Sequence, residues 1–186
     1  RKELGNKDAV AGNIDIHATG DINLNQNSNI NNILEPDSIG EGGKIDIKSN
    51  NFFLKDATIL TDTESSGNAG DLIVTAENKF EIISSPINIT LGGEGRKGLS
   101  SKTEEEATGN GGNIIVESPE ITISGIGGID SSTKGFGDGG TVTILTDRLN
   151  IIEGAAVLSN TRSSGNAGEI FIQASEFIEV SNKLSD

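Results

Sequence analysis

DATILTDTESSGNAG at residues 56–70 returns as GAAVLSNTRSSGNAG at residues 154–168, identical at 9 of 15 positions. The last four residues of that match are a signal: Gly, then Asn, Asp or Glu, then Ala or Gly, then Gly. It recurs as Gly67-Asn68-Ala69-Gly70, Gly109-Asn110-Gly111-Gly112, Gly137-Asp138-Gly139-Gly140 and Gly165-Asn166-Ala167-Gly168, with a looser copy at Gly40-Glu41-Gly42-Gly43 and a remnant at Ala11-Gly12. The closing glycines fall at 12, 43, 70, 112, 140 and 168, so the underlying period is about 28 residues with two longer units. A repeat of this length marks one supersecondary unit that buries its apolar face only by stacking on its neighbours.

Each closing glycine is followed by strict alternation. Ile14 and Ile16, Ile45 and Ile47, Leu72 and Val74, Ile114 and Val116, Val142 and Ile144, Ile170 and Ile172 occupy matching places. A period of two means a strand with one buried face. A second strand follows at Ile22 and Leu24, Phe52 and Leu54, Phe80 and Ile82, Ile121 and Ile123, Leu149 and Ile151; Phe177, Ile178 and Val180 leave its register open in the last unit. Ile59, Ile87–Ile89, Ile129 and Val157 suggest a third. No stretch carries helical periodicity. The expected fold is all-β: a parallel β-helix, or β-solenoid, of about six coils with three short strands each, spanning residues 1–186 as one unit. A hairpin sandwich would need two-residue turns between facing strands and gives no reason for a 28-residue unit.

Composition agrees and excludes. Ile outnumbers Leu by 26 to 12, Gly reaches 25, and Pro only 3; β-branched residues suit pleated sheets and glycine suits sharp turns. There is no Cys, which removes disulfides, thiolate metal sites and cysteine nucleophiles. The net charge of −14 argues against nucleic acid as a partner. No run is apolar enough for membrane insertion. The single His17 supports no nucleophilic triad, and no glycine motif opens a helix for phosphate binding. Because the chain begins at Arg1, we expect a piece of a larger protein.

The glycine signal reads as a corner: Gly supplying positive φ, Asn or Asp bonding to nearby backbone. Stacking lines up Glu41, Asn68, Asn110, Asp138 and Asn166 as a ladder. A calcium-binding reading needs tandem short repeats with an Asp in each, and only Gly135–Gly139 resembles one, so no cofactor is expected.

The unit TVTILTDRLNIIEGAAVLSNTRSSGNAG (141–168), continued as EIFIQASEFIEVSN (169–182), resembles the repeats of large secreted exoproteins of the filamentous-haemagglutinin type, of the kind abundant in cyanobacteria. The resemblance covers nearly the whole chain. It implies a right-handed parallel β-helix, export through an outer-membrane transporter by two-partner secretion, a secreted or cell-surface location, and a role in adhesion or surface structure; a glycan or cell-surface receptor is the partner we expect for such a role. The family's secretion-domain motif is absent, since the chain holds no Asn-Pro pair, and the export expectation rests on the repeats.

Stacking also nominates surface residues. The outward centre of the first strand runs Asp15, Asp46, Ile73, Ile115, Thr143, Phe171. Asp15 above Asp46, roughly 5 Å apart by strand spacing, is the raw material for glycosidic acid/base chemistry, with His17, Lys44 and Lys48 beside it. A carbohydrate-active lyase or hydrolase using this pair is therefore the alternative to a non-enzymatic rod. Ile73, Ile115 and Phe171 form an apolar stripe fit for docking. The polar segment 92–110 reads as an inserted loop covering that stripe or presenting Arg96, Lys97 and Lys102 before Glu104–Glu106. The Asn-rich stretch 23–32 reads as stacked amides or an outward loop. We expect a structural and adhesive rod rather than an enzyme.

Overall fold

A computed structural model describes residues 11–36, 38–85 and 97–182. Among these residues there is no helix, and every strand pairing is parallel. The first sheet runs through β1 (Ile14–His17), β2 (Ile22–Asn25), β4 (Ile45–Lys55), β6 (Leu72–Ser84), β8 (Ile114–Glu117), β9 (Glu120–Gly125), β11 (Val142–Ile151) and β13 (Ile170–Val180). The second, narrower sheet stacks β3 (Asn29–Asn31), β5 (Thr58–Leu60), β7 (Lys97–Ser100), β10 (Gly127–Asp130) and β12 (Ala156–Leu158). The molecule is a β-solenoid of about five turns. The sequence suggests about six because six units begin with a first-sheet strand; the sixth, β13, has no second-sheet partner among the described residues.

Register follows the repeat. Ile45 pairs with Leu72, Leu72 with Ile114, Ile114 with Val142 and Val142 with Ile170. Each apolar side chain therefore sits on its equivalent in the next turn, and Ile45, Ile47, Leu72, Val74, Ile114, Val116, Val142 and Ile144 are fully buried. Burying one such side chain contributes about 1.5–3 kcal/mol. Phe52 and Phe80 stack nearly parallel, 8° apart with centroids at 5.5 Å. In the last unit Ile178 and Val180 take the core register opposite Leu149 and Ile151, leaving Phe177 beside Arg148. Midway along the long strands, β6 and β13 each carry one residue more than the strand below, a bulge between Ser49 and Asn51 and between Thr146 and Arg148.

Three sequence expectations are corrected. In the second sheet, Leu99 fills the core slot between Ile59 and Ile129, the place assigned to Ile87–Ile89, which lie outside the described residues. Most of the extra length of that unit falls between β6 and β7 and the rest at Glu105 and Glu106, so the segment 92–110 is not a single inserted loop: Lys97–Ser100 is a core strand and Thr103 continues the stack. In its four full copies the glycine signal is not a positive-φ corner, because Gly67, Gly109, Gly137 and Gly165 have no positive φ, whereas Gly40 of the looser copy has one at 151°. The four are needed for closeness: a Cβ built on Gly109 would lie 1.8 Å from the Gly67 carbonyl oxygen, and one on Gly137 or Gly165 2.0 Å from the carbonyl of the turn before. Positive φ recurs at the opposite corner, where Asn27, Asp56, Gly125 and Glu153 lead from the first sheet to the second.

The amide ladder is present. Asn110 N–H donates to Asn68 Oδ1, Asp138 N–H to Asn110 Oδ1 and Asn166 N–H to Asp138 Oδ1, at 2.7–2.8 Å. Because the side-chain oxygen only accepts, Asp serves as well as Asn. The Asn-rich stretch forms β2 and β3, in which Asn23, Asn25, Asn29 and Asn31 point outward around Leu24 and Ile30.

Candidate functional site on the outer face

The first-sheet strands bring the expected column together in register: Asp15 pairs with Asp46, Asp46 with Ile73, Ile73 with Ile115, Ile115 with Thr143 and Thr143 with Phe171. The next outward column runs His17, Lys48, Thr75, Glu117, Leu145, Gln173.

At the acidic end, Lys44 Nζ donates to Asp46 Oδ2 at 2.9 Å. That hydrogen bond holds the Asp46 carboxyl below its usual range, against partial burial that acts in the opposite direction, and Lys48 and His17 add smaller effects in the lowering sense. The same contact raises the Lys44 ammonium. His17 Nε2 lies 4.0 Å from Asp46 Oδ1, beyond hydrogen-bond length, and Oδ1 is buried without a partner. Asp15 is exposed. Acid/base cleavage of a glycosidic bond needs one carboxyl kept protonated beside one kept ionised. Here the less exposed acid is the one held ionised by a lysine, an arrangement that neutralises charge rather than supplying a proton. Among the described residues no group of three acidic or histidine side chains is placed to hold a metal ion.

The apolar end is a surface feature. Phe171 is 52% exposed, while Ile73 and Ile115 are partly covered by their neighbours. Of the two basic residues expected in a loop, Arg96 lies outside the described residues and Lys97 begins β7, opposite Gly127. The structure therefore gathers Asp15, Asp46, Ile73, Ile115 and Phe171 on one face and places Lys97 on the other sheet.

Beside the stripe lies a groove of about 490 Å³ at the bulged middle of the long strands. Glu77, Glu117 and Asp147 line it, with Pro119 and Leu145. Only Glu117 and Leu145 continue the outward alternation; Glu77 and Asp147 lie in the bulged stretch where the count shifts by one, so a period of two could not have gathered these residues.

A second feature escaped the sequence reading. Leu34, Thr63, Thr103, Thr133 and Thr161 form a column of parallel bridges at the narrow end of each turn. Thr63, Thr133 and Thr161 Oγ1 each donate to the carbonyl of the glycine four residues on, Gly67, Gly137 and Gly165, at 2.7–2.8 Å. Ser101 and Ser131 similarly donate to Gly70 and Gly140. The signal was in plain view as Thr-x-x-x-Gly, but a polar residue between polar neighbours carries no periodicity. Asp62 is the one buried carboxylate among the described residues; it accepts from Ser100 Oγ at 2.6 Å and Lys102 N–H at 2.7 Å. Burial pushes its carboxyl above the usual range despite the opposing Lys102 charge. Lys102 also lies within 3.9 Å of Glu104 and Asp130, and Lys134 bonds Glu104 at 2.9 Å.

The fold is a parallel β-solenoid, and one face of its first sheet carries the apolar stripe and the groove beside it. No protein-family model, no curated protein and no solved structure matches this chain.

Proposed function

We propose that the chain is a structural and adhesive rod segment of a larger bacterial exoprotein of the filamentous-haemagglutinin type, secreted by a two-partner route to the cell surface. The observation that supports this most is the unbroken parallel stack, in which Ile45, Leu72, Ile114, Val142 and Ile170 stand in register from turn to turn and the outward column beside them ends in Phe171, 52% exposed. Stacked turns of this kind make a rod that presents one continuous outer face. Attachment belongs to the outer face, where the apolar stripe and the groove lie; the partners are the transporter during export and a glycan or other cell-surface receptor afterwards.

Two measurements test the reading. The complete reading frame is expected to carry an amino-terminal secretion domain next to a transporter gene. Beads coated with the protein are expected to attach to cells or glycans, and beads coated with Phe171→Asp to attach less. A short self-contained frame and inert beads would sink it. So would release of sugar from a polysaccharide panel that disappears in Asp15→Asn and Asp46→Asn variants, which would make the protein a carbohydrate-active enzyme.

A further inference from the structure

The stripe and the groove are adjacent, parallel and equally long. Ile73, Ile115, Thr143 and Phe171 form one column; Thr75, Glu117, Leu145 and Gln173, two residues further along the same strands, form the near wall of the groove. Four turns at ~4.8 Å per rung give the pair a length of roughly 14 Å. The groove gathers three carboxylates with no cation among them, whereas four other acids on this sheet are paired: Asp46 with Lys44, Glu81 with Lys79, and Glu120 and Glu176 with Arg148. Among the described residues no ion pair reaches Glu77, Glu117 or Asp147, and no cation lines the groove with them; Asp147 only accepts from Ser175 Oγ.

We propose that this surface binds an extended basic segment of a partner protein, with lysine or arginine heads over the groove and aliphatic side chains on the stripe. The proposal rests on the attachment reading above and names its partner chemistry. Unpaired carboxylates select cations, and the stripe selects hydrocarbon. Lys and Arg carry both, a charged tip on an apolar stem. At about 3.3 Å per residue, four or five residues of extended chain span the surface.

The test uses a labelled ten-residue peptide of alternating Lys and Val, measured by fluorescence anisotropy at low and high salt, against its Glu–Val counterpart. We expect saturable binding of the basic peptide only, weakened by salt. Glu117→Gln with Asp147→Asn should weaken it about fivefold or more, and Phe171→Ser by a similar factor. Glu41→Gln with Glu64→Gln, removing two exposed charges on the glycine turns, should change it less than twofold. Equal losses in the turn variant would reduce the effect to net charge and overturn the proposal, as would binding indifferent to Phe171→Ser. If coated beads attach while the peptide is ignored, the partner chemistry is wrong and the attachment reading stands. If neither occurs, both fall.

Discussion

Gly109 has no room for a methyl group. The carbonyl oxygen of Gly67 would lie 1.8 Å from its Cβ, and the contact recurs turn after turn at Gly137 and Gly165. Since the neighbour is backbone on both sides, the clash can be relieved only by parting two turns. We expect Gly109→Ala to cost about 3 kcal/mol or more, read as a lower urea midpoint. Gly20→Ala, with nothing within 4 Å, should stay within about 0.5 kcal/mol of the parent. Asp62 makes a different case, because its cost depends on pH. Burial raises its carboxyl above the unfolded value. The folded state thus holds a proton at pH values where the unfolded chain has lost it, and stability falls as pH rises through the raised value. Asp46 runs in the opposite sense: its lowered carboxyl contributes stability above the ordinary carboxylate range, lost as pH falls through the folded value. Asp62→Asn keeps a carbonyl oxygen for Ser100 and Lys102. Its melting temperature should exceed the parent's at neutral pH and converge with it in acid. A constant difference at every pH would mean that packing, not charge, dominates the site.

At the scale of elements, the threonine column shows how a turn is closed and how an insertion breaks the closure. Thr133 Oγ1 donates to Gly137 O at 2.8 Å across four residues. In the third turn the equivalent threonine is Thr103, but the signal glycine is Gly109, six residues on, because Glu105 and Glu106 widen the loop and Glu106 takes a positive φ. Thr103 Oγ1 is accordingly buried without a partner. An unpaired buried hydroxyl is a cost, whereas a paired one whose removal orphans a carbonyl is a gain of about 1–3 kcal/mol. Thr103→Val should therefore be neutral or stabilising, and Thr133→Val destabilising by about 1–2 kcal/mol, both measured by thermal denaturation. Equal losses at the two positions would contradict this account of the turn. These elements also mark what could be read in advance. Alternation around Ile45, Leu72 and Val142 fixed the first sheet because each buried face repeats every second residue. The second sheet was legible at Ile59, Ile129 and Val157, and missed at Leu99, where the flanks are Gly98 and Ser100 and no alternation survives. The Asp15–Asp46 pairing followed from register, but its neutralisation by Lys44 depends on a side-chain rotamer that no spacing encodes.

For the whole molecule, the consequence of stacking is that stability is a sum over turns and the interfaces between them. The turns are not equal. The interior rungs from Ile45 to Ile151 bury their core side chains almost completely, while Ile170, Phe177, Ile178 and Val180 stay 43–71% exposed on β13. Removing a rung from water on one side only halves what holds it, so opening should begin at that end and travel inward. Backbone hydrogen exchange is the measurement suited to this, because local opening is read residue by residue. Amides of β6 and β11 should exchange only through global unfolding, and those of β13 at the lower free energy of an end turn peeling away. Appending a copy of residues 158–186 after Asp186, which keeps the phase in which Val180 stands opposite Ile151, should cover Ile178 and Val180 and raise β13 to the protection of the interior. If the appended turn instead leaves β13 exchanging as before, the row of Ile170, Ile178 and Val180 is not a stacking surface, and peeling from this end is not set by missing core contacts.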